Sequence, residues 1–186
     1  IALILHPHPQ QGGTMNNKLC FNMFNMFKDR GYSVMRFNFR GVGRSQGVYD
    51  QGIGELSDAA SALDWMQTYN ANARATWVAG YSFGSWIGMQ LLMRRPEIDG
   101  FVCVAPPASE YDFTFLAPCP SSGLMIHGTQ DSNIPLASVN KLADKLNAQK
   151  GIEVDLRTID GADHYFAKQQ DDVIKHTAAY LEKRGA

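Results

Sequence analysis

The stretch Thr76-Trp77-Val78-Ala79-Gly80-Tyr81-Ser82-Phe83-Gly84 decides the fold. Its first six residues are a short apolar run of strand character, and from Phe83 an apolar stripe at helical spacing runs to about Met93. The serine therefore sits where a strand turns directly into a helix, flanked by Gly80 and Gly84. Such a Gly-x-Ser-x-Gly turn holds its serine in a strained conformation, so that the hydroxyl projects above the sheet edge. The next backbone N–H faces the same point. A serine in a glycine-rich turn is common in α/β proteins, and it is the strand before and the helix after that give this one weight.

Outward from this turn, short apolar runs alternate with amphipathic stretches along the whole chain. Strands are expected at Ile1–Leu5, Ser33–Phe39, Thr76–Tyr81, Phe101–Ala105, Leu124–His127 and Val154–Ile159. Most are apolar enough to be covered on both faces, as in a parallel sheet. Helical stripes run through Cys20, Met23, Phe24 and Phe27, and through Leu56, Ala59, Ala60, Leu63 and Met66. Further helices are expected over Phe83–Met93, Leu136–Gln149 and Asp171–Glu182. The pattern predicts one domain over residues 1–186, a three-layer α/β sandwich around a mostly parallel sheet. Pro106–Gly123 is the longest stretch without a clear element, and its four prolines and interleaved aromatics read as an ordered excursion.

Composition bounds the partners. The chain has 186 residues, 45% hydrophobic, 19% charged and 11% aromatic, which suits one packed core and opposes disorder. Seventeen Lys and Arg against eighteen Asp and Glu leave a net charge of -1, so no electrostatic footprint for nucleic acid is present. No apolar run reaches membrane-spanning length. Cys20, Cys103 and Cys119 are an odd set without a Cys-x-x-Cys pair, which fits a reducing compartment and predicts a cytoplasmic location. The opening at Ile1, inside an apolar run and without an initiator Met, predicts further sequence upstream.

A serine hydroxyl is a poor nucleophile at neutral pH unless a base and an orienting acid accompany it. Asp131 follows the strand ending at His127-Gly128, and His164 follows the strand ending at Ile159. In parallel sheets the loops at the carboxyl ends of the strands open on one edge, so Ser82, Asp131 and His164 are expected to converge. Asp160 and Asp163 are nearer to His164 in sequence, but adjacency along a loop seldom gives the side-chain geometry, and Asp131 is preferred. His176 falls in a surface-helix pattern. His127 is expected to support the acid loop by packing or hydrogen bonding.

Acyl transfer also needs two donors for the developing oxyanion. Phe83 N–H is one. The second is expected from Leu5-His6-Pro7-His8-Pro9-Gln10-Gln11-Gly12-Gly13, where the prolines have no N–H; His8 N–H leads and Gln10 N–H is the fallback. The His6-x-His8 pair has no third ligand at suitable spacing, so no metal is assigned. The glycines of Arg40-Gly41-Val42-Gly43-Arg44-Ser45-Gln46-Gly47 do not run straight into a helix as a dinucleotide site requires, and no cofactor is assigned. Arg40 and Arg44 are expected to hold loops by ion pairs.

Together the segments His-Pro-His-Pro, Arg-Phe-Asn-Phe-Arg-Gly-Val-Gly-Arg-Ser and Gly-Tyr-Ser-Phe-Gly resemble the α/β-hydrolase superfamily, in particular small dienelactone-hydrolase-like proteins. The chain order Ser82, Asp131, His164 is that of the superfamily. The resemblance covers nearly the whole chain and implies a larger sheet whose antiparallel N-terminal strands lie before Ile1. Two departures limit it. Dienelactone hydrolases use a cysteine nucleophile where this chain has Ser82, and only Pro106–Gly123 occupies the place of a lid domain. The expected activity is a serine hydrolase of small or medium carboxylic esters or thioesters, with Tyr81, Tyr111, Phe113, Phe115, Tyr165 and Phe166 as candidates to line the acyl site. The alternatives are an amidase or peptidase with the same machinery, and a binding protein on the hydrolase fold.

Overall fold

A computed structural model describes residues 1–186. Six strands form one sheet: β1 (Ala2–Leu5), β2 (Val34–Arg36), β3 (Trp77–Tyr81), β4 (Gly100–Val104), β5 (Gly123–Gly128) and β6 (Val154–Ile159). Every neighbouring pair is parallel, in the order β2-β1-β3-β4-β5-β6. The five α-helices are α1 (Lys18–Lys28), α2 (Ile53–Tyr69), α3 (Phe83–Arg94), α4 (Leu136–Asn147) and α5 (Gln170–Arg184), and a 3-10 turn spans Pro9–Gln11. No helix is long and apolar enough to cross a membrane.

Side chains alternate across each strand, and the sheet divides the interior into two apolar layers. Leu3, Leu5, Val78, Phe101, Cys103 and Met125 pack on one face against α2, α3 and α4. Ala2, Ile4, Trp77, Ala79, Val102 and Ile126 pack on the other against α1 and α5. This is the three-layer sandwich expected of the sequence. β3 and β4 are buried at every position because both faces are covered.

Element ends differ from the sequence pattern for local reasons. α1 begins at Lys18 because Asn17 caps it, its side-chain oxygen accepting from the N–H of Leu19 at 3.0 Å and of Cys20 at 3.3 Å. α2 begins three residues before Leu56. The fully buried Glu55 carboxylate accepts from the N–H of Gly52 at 2.7 Å and of Asp50 at 3.0 Å, and so closes its first turn. β2 stops at Arg36, short of Phe39, because the chain leaves the sheet there and the Phe39 N–H donates to His6 Nε2 at 3.1 Å.

That bond has a pH consequence. His6 is 1% exposed, and burial pushes its imidazole down to about 4, opposed by the Pro7 carbonyl at its Nδ1. Between its ordinary 6.5 and about 4, the unfolded chain takes up a proton that the folded chain refuses, so stability falls as pH falls through this window. The loss reaches about 3 kcal/mol by the lower end and grows no further from this group below it. His127 is shifted in the same direction by burial, so the informative quantity is a difference. A His6→Gln variant, which keeps an acceptor but does not titrate, is expected to show a flatter decline of Tm between pH 6.5 and 4 than the parent. Parallel declines would show that His6 does not carry this loss of stability.

The strand order places a crevice. The chain runs from β1 outward to β2, then crosses back over β1 to β3, so the connections after β1 and β3 leave the sheet edge on opposite sides. Such a switch point opens a cleft at the carboxyl ends of the strands. Leu5 pairs with Gly80 at this place, and the loops carrying His8 and Ser82 face each other across it.

Candidate active site

Ser82 is the residue before α3 and has φ 51 and ψ -119, a region that non-glycine residues rarely occupy. The turn is possible because Gly80 and Gly84, two residues to either side of Ser82, lack a side chain. A Cβ on Gly80 would meet the backbone of Gly84 and Ser85, and a Cβ on Gly84 would meet the carbonyls of Leu5 and His6. The start of α3 therefore lies directly against the end of β1. The turn is anchored by the Ser82 N–H donating to the Val104 carbonyl at 2.8 Å.

The structure brings Ser82, His164 and Asp131 together. Ser82 Oγ lies 2.9 Å from His164 Nε2, and His164 Nδ1 lies 2.7 Å from Asp131 Oδ2. Asp131 accepts at its other oxygen from the N–H of Asn133 at 2.9 Å and of Ile134 at 2.8 Å. Burial alone would raise its carboxyl, but the His164 ring and the Ile134 N–H outweigh this and hold it below the usual carboxylate range. An ionised Asp131 fixes the hydrogen on His164 Nδ1. Nε2 is thereby left as an acceptor for the Ser82 hydroxyl.

Asp160 and Asp163 are occupied elsewhere. Asp160 accepts from the Thr129 hydroxyl at 3.1 Å, and Asp163 from the N–H of Tyr165 at 3.1 Å and of Ala167 at 3.3 Å. His127 is buried behind Asp131: its Nε2 donates to the Ile134 carbonyl at 2.8 Å and lies 3.5 Å from Asp131 Oδ2. His176 is on α5.

Among the backbone donors, the Phe83 N–H opens α3 and by position has no acceptor within its helix. The His8 N–H makes no hydrogen bond, whereas the Gln10 N–H is taken by His8 Nδ1 at 3.1 Å. The His8 ring is fixed on its other side by the Tyr49 hydroxyl, 3.3 Å from Nε2. Thus His6 and His8 are each held by separate loop contacts. Arg40 grips Asp58 through two nitrogens at 2.8 and 3.1 Å, while Arg44, expected to act similarly, makes no ion pair.

A pocket of about 200 Å³ opens over Ser82, with Tyr111, Tyr165, Glu110 and Asn133 on its walls. Tyr81, Tyr111 and Tyr165 border this pocket as expected, whereas Phe113, Phe115 and Phe166 do not. Tyr81 borders this pocket but is 2% exposed, and its hydroxyl is spent on the His164 carbonyl at 2.8 Å. Phe113 is buried, stacked near Phe115 with ring centroids 6.1 Å apart, and lines a separate hollow. Phe166 is fully buried beneath Tyr81. Phe113, Phe115 and Phe166 pack among apolar neighbours that the loop sequence alone did not reveal. The cysteines stand apart from the site, all three buried and free, with burial pushing the Cys20 thiol up to about 12.

Tyr81 ties the loop carrying His164 to β3, a contact no sequence motif announced. Its replacement by phenylalanine leaves the buried His164 carbonyl without its partner, which costs about 1–3 kcal/mol. The expected result for Tyr81→Phe is a lower denaturation midpoint with an unchanged m-value. An unchanged midpoint would mean that the loop is held by other contacts.

A strained serine, an imidazole and a buried carboxylate at the switch point of a parallel sheet, with no helix or strand between β4 and β5 to cover them, define a lidless serine-hydrolase-type α/β fold. A family model described as X-Pro dipeptidyl-peptidase (S15 family) matches residues 3–120, and one described as prolyl oligopeptidase family matches residues 106–184. Over 185 residues the chain is 48% identical to an uncharacterized protein of Rickettsia prowazekii, covering 97% of this chain and 78% of that one. A crystal structure of a protein of unknown function from Agrobacterium tumefaciens superposes with a TM-score of 0.96 at 57% identity, over 98% of this chain and 84% of that one. An α-β serine hydrolase homologue from Coxiella burnetii gives 0.89 at 32% identity, over 97% and 84%. A lidless α/β serine hydrolase from Xanthomonas campestris gives 0.90 at 27%, over 98% and 81%. The chain belongs to the α/β-hydrolase superfamily.

Proposed function

We propose that the protein hydrolyses small or medium carboxylic esters or thioesters through an acyl-enzyme on Ser82. The observation that carries this reading is the continuous relay from Ser82 Oγ to His164 at 2.9 Å and from His164 to Asp131 at 2.7 Å. As Oγ attacks the carbonyl carbon, His164 Nε2 takes the hydroxyl proton, and Asp131 stabilises the imidazolium that forms. The oxyanion is placed between the N–H groups of Phe83 and His8. Collapse breaks the bond to the alcohol or thiol, which leaves with the proton from His164. Water then attacks the acyl group, with His164 again as base, and releases the acid.

The pocket supports a short acyl group. Its volume of about 200 Å³ is below the roughly 300 Å³ at which sites for drug-sized ligands begin. The test is a kinetic panel of p-nitrophenyl esters of rising chain length, with a matching thioester. Highest kcat/KM at short acyl chains is the expected result, and preference for long chains contradicts the assignment of the pocket.

A second reading, peptidase, is favoured by the two peptidase family models that match the chain. Acyl transfer to an amide uses the same groups. Turnover of dipeptidyl anilides with proline in the second position, at rates exceeding those of the esters, would decide for it.

A further inference from the structure

A second and larger hollow lies beside the Ser82 pocket, between α4 and the excursion after β4, with a volume of about 640 Å³ against about 200 Å³. Tyr111 is the one residue that walls both. It is held in place by stacking on Trp86, with ring centroids 4.3 Å apart, so the two spaces are divided by a fixed partition. The hollow is built at both ends. Near Tyr111, the Trp86 Nε1–H donates to the Asp112 carbonyl at 3.1 Å. At the far end Gln149, just past α4, donates to the Leu116 carbonyl and accepts from the Cys119 N–H, each at 2.6 Å. Its lining is apolar in depth, with Phe113, Leu116, Leu142 and Leu146.

Its charge is net positive, two lysines against one carboxylate. Lys141 and Lys145, one helical turn apart on α4, both line the hollow, and neither makes an ion pair. Asp112 is the only carboxylate on the wall, and it is turned to the Thr114 N–H at 2.8 Å. An apolar cavity with two free ammonium groups complements a molecule that is apolar along its length and anionic at one end. We propose that this hollow binds an amphipathic carboxylate, an unbranched apolar chain whose acid group rests between Lys141 and Lys145. The site is distinct from the Ser82 pocket and does not depend on hydrolysis.

The probe is decanoate, titrated calorimetrically into the whole chain and into Ser82→Ala, with decanol as the uncharged comparison. Equal binding of decanoate to both proteins is expected, with decanol several-fold weaker. Reversing both charges, in Lys141→Glu with Lys145→Glu, is expected to weaken decanoate about tenfold, since each exposed ion contact supplies a factor of a few. Ser138→Trp, which fills the hollow from α4 and keeps both lysines, is expected to abolish binding. Decanol binding as tightly as decanoate, or indifference to charge reversal, overturns the proposal. So does failure of decanoate to bind. A concentration-dependent dimer that Ser138→Trp disrupts would place a second copy of the chain there and overturn it equally.

Discussion

Replacing Ser82 by alanine is expected to lower kcat on a short ester by about a million-fold while leaving the thermal transition in place. The size follows from the loss of the only oxygen aligned with the imidazole, 2.9 Å from Nε2. His164→Ala should cost about as much, because an unassisted hydroxyl cannot deliver its proton during attack. The two losses should not add. A double variant no worse than either single one is the signature of groups that act as a unit, whereas additive losses would mean that the two side chains serve separate steps. Rates measured for both single variants and the double variant give the comparison. Activity of Ser82→Ala near the parent level would place the reaction at another group.

Asp131→Asn carries the second large effect, about 10⁴-fold in kcat, and the geometry explains its direction. Asp131 Oδ1 receives the N–H groups of Asn133 and Ile134, so an asparagine in this place keeps its oxygen on that side. Its amide NH₂ then faces His164 Nδ1, which must give up its hydrogen to accept. The hydrogen moves to Nε2, and the ring can no longer take a proton from Ser82. Nuclear magnetic resonance of labelled histidine would show the change of tautomer directly. Retention of the Nδ1–H form with kcat reduced by less than tenfold would show that Asp131 does not set the tautomer.

Much of this was open to reading from residue order. The Gly80–Gly84 turn, its preceding apolar strand and its following helix state the position of Ser82 outright, and strands ending shortly before Asp131 and His164 place those side chains on the same sheet edge. Apolar runs covered on both faces are legible because they contain few polar positions, and β1, β3, β4 and β5 are buried at every position, whereas the edge strands β2 and β6 are only partly buried. What was not legible depends on contacts between distant loops. Tyr81 could be assigned to the pocket from its position beside Ser82, but nothing in its neighbours shows that its hydroxyl reaches the carbonyl of His164. Phe113 sits among prolines and aromatics in an excursion whose backbone is pinned by Gln149, far along the chain. Glu55 falls beside an apolar stripe, and its function as a buried clamp on the Asp50–Gly52 turn appears only when that turn is folded back on it.

The choice between donors in the loop after β1 lies between these cases. Proline chemistry excludes Pro7 and Pro9 from the sequence alone. The separation of His8 from Gln10 needed the folded loop, where the His8 ring occupies the Gln10 N–H and leaves its own backbone N–H free.

Labelling with a fluorophosphonate, followed by peptide mass mapping, asks whether the Ser82 oxygen is the nucleophile. One phosphonyl group per chain is expected, on the peptide that contains Ser82, and none on folded Ser82→Ala. Labelling of another residue, or folded protein whose Ser82 stays unmodified, would contradict it.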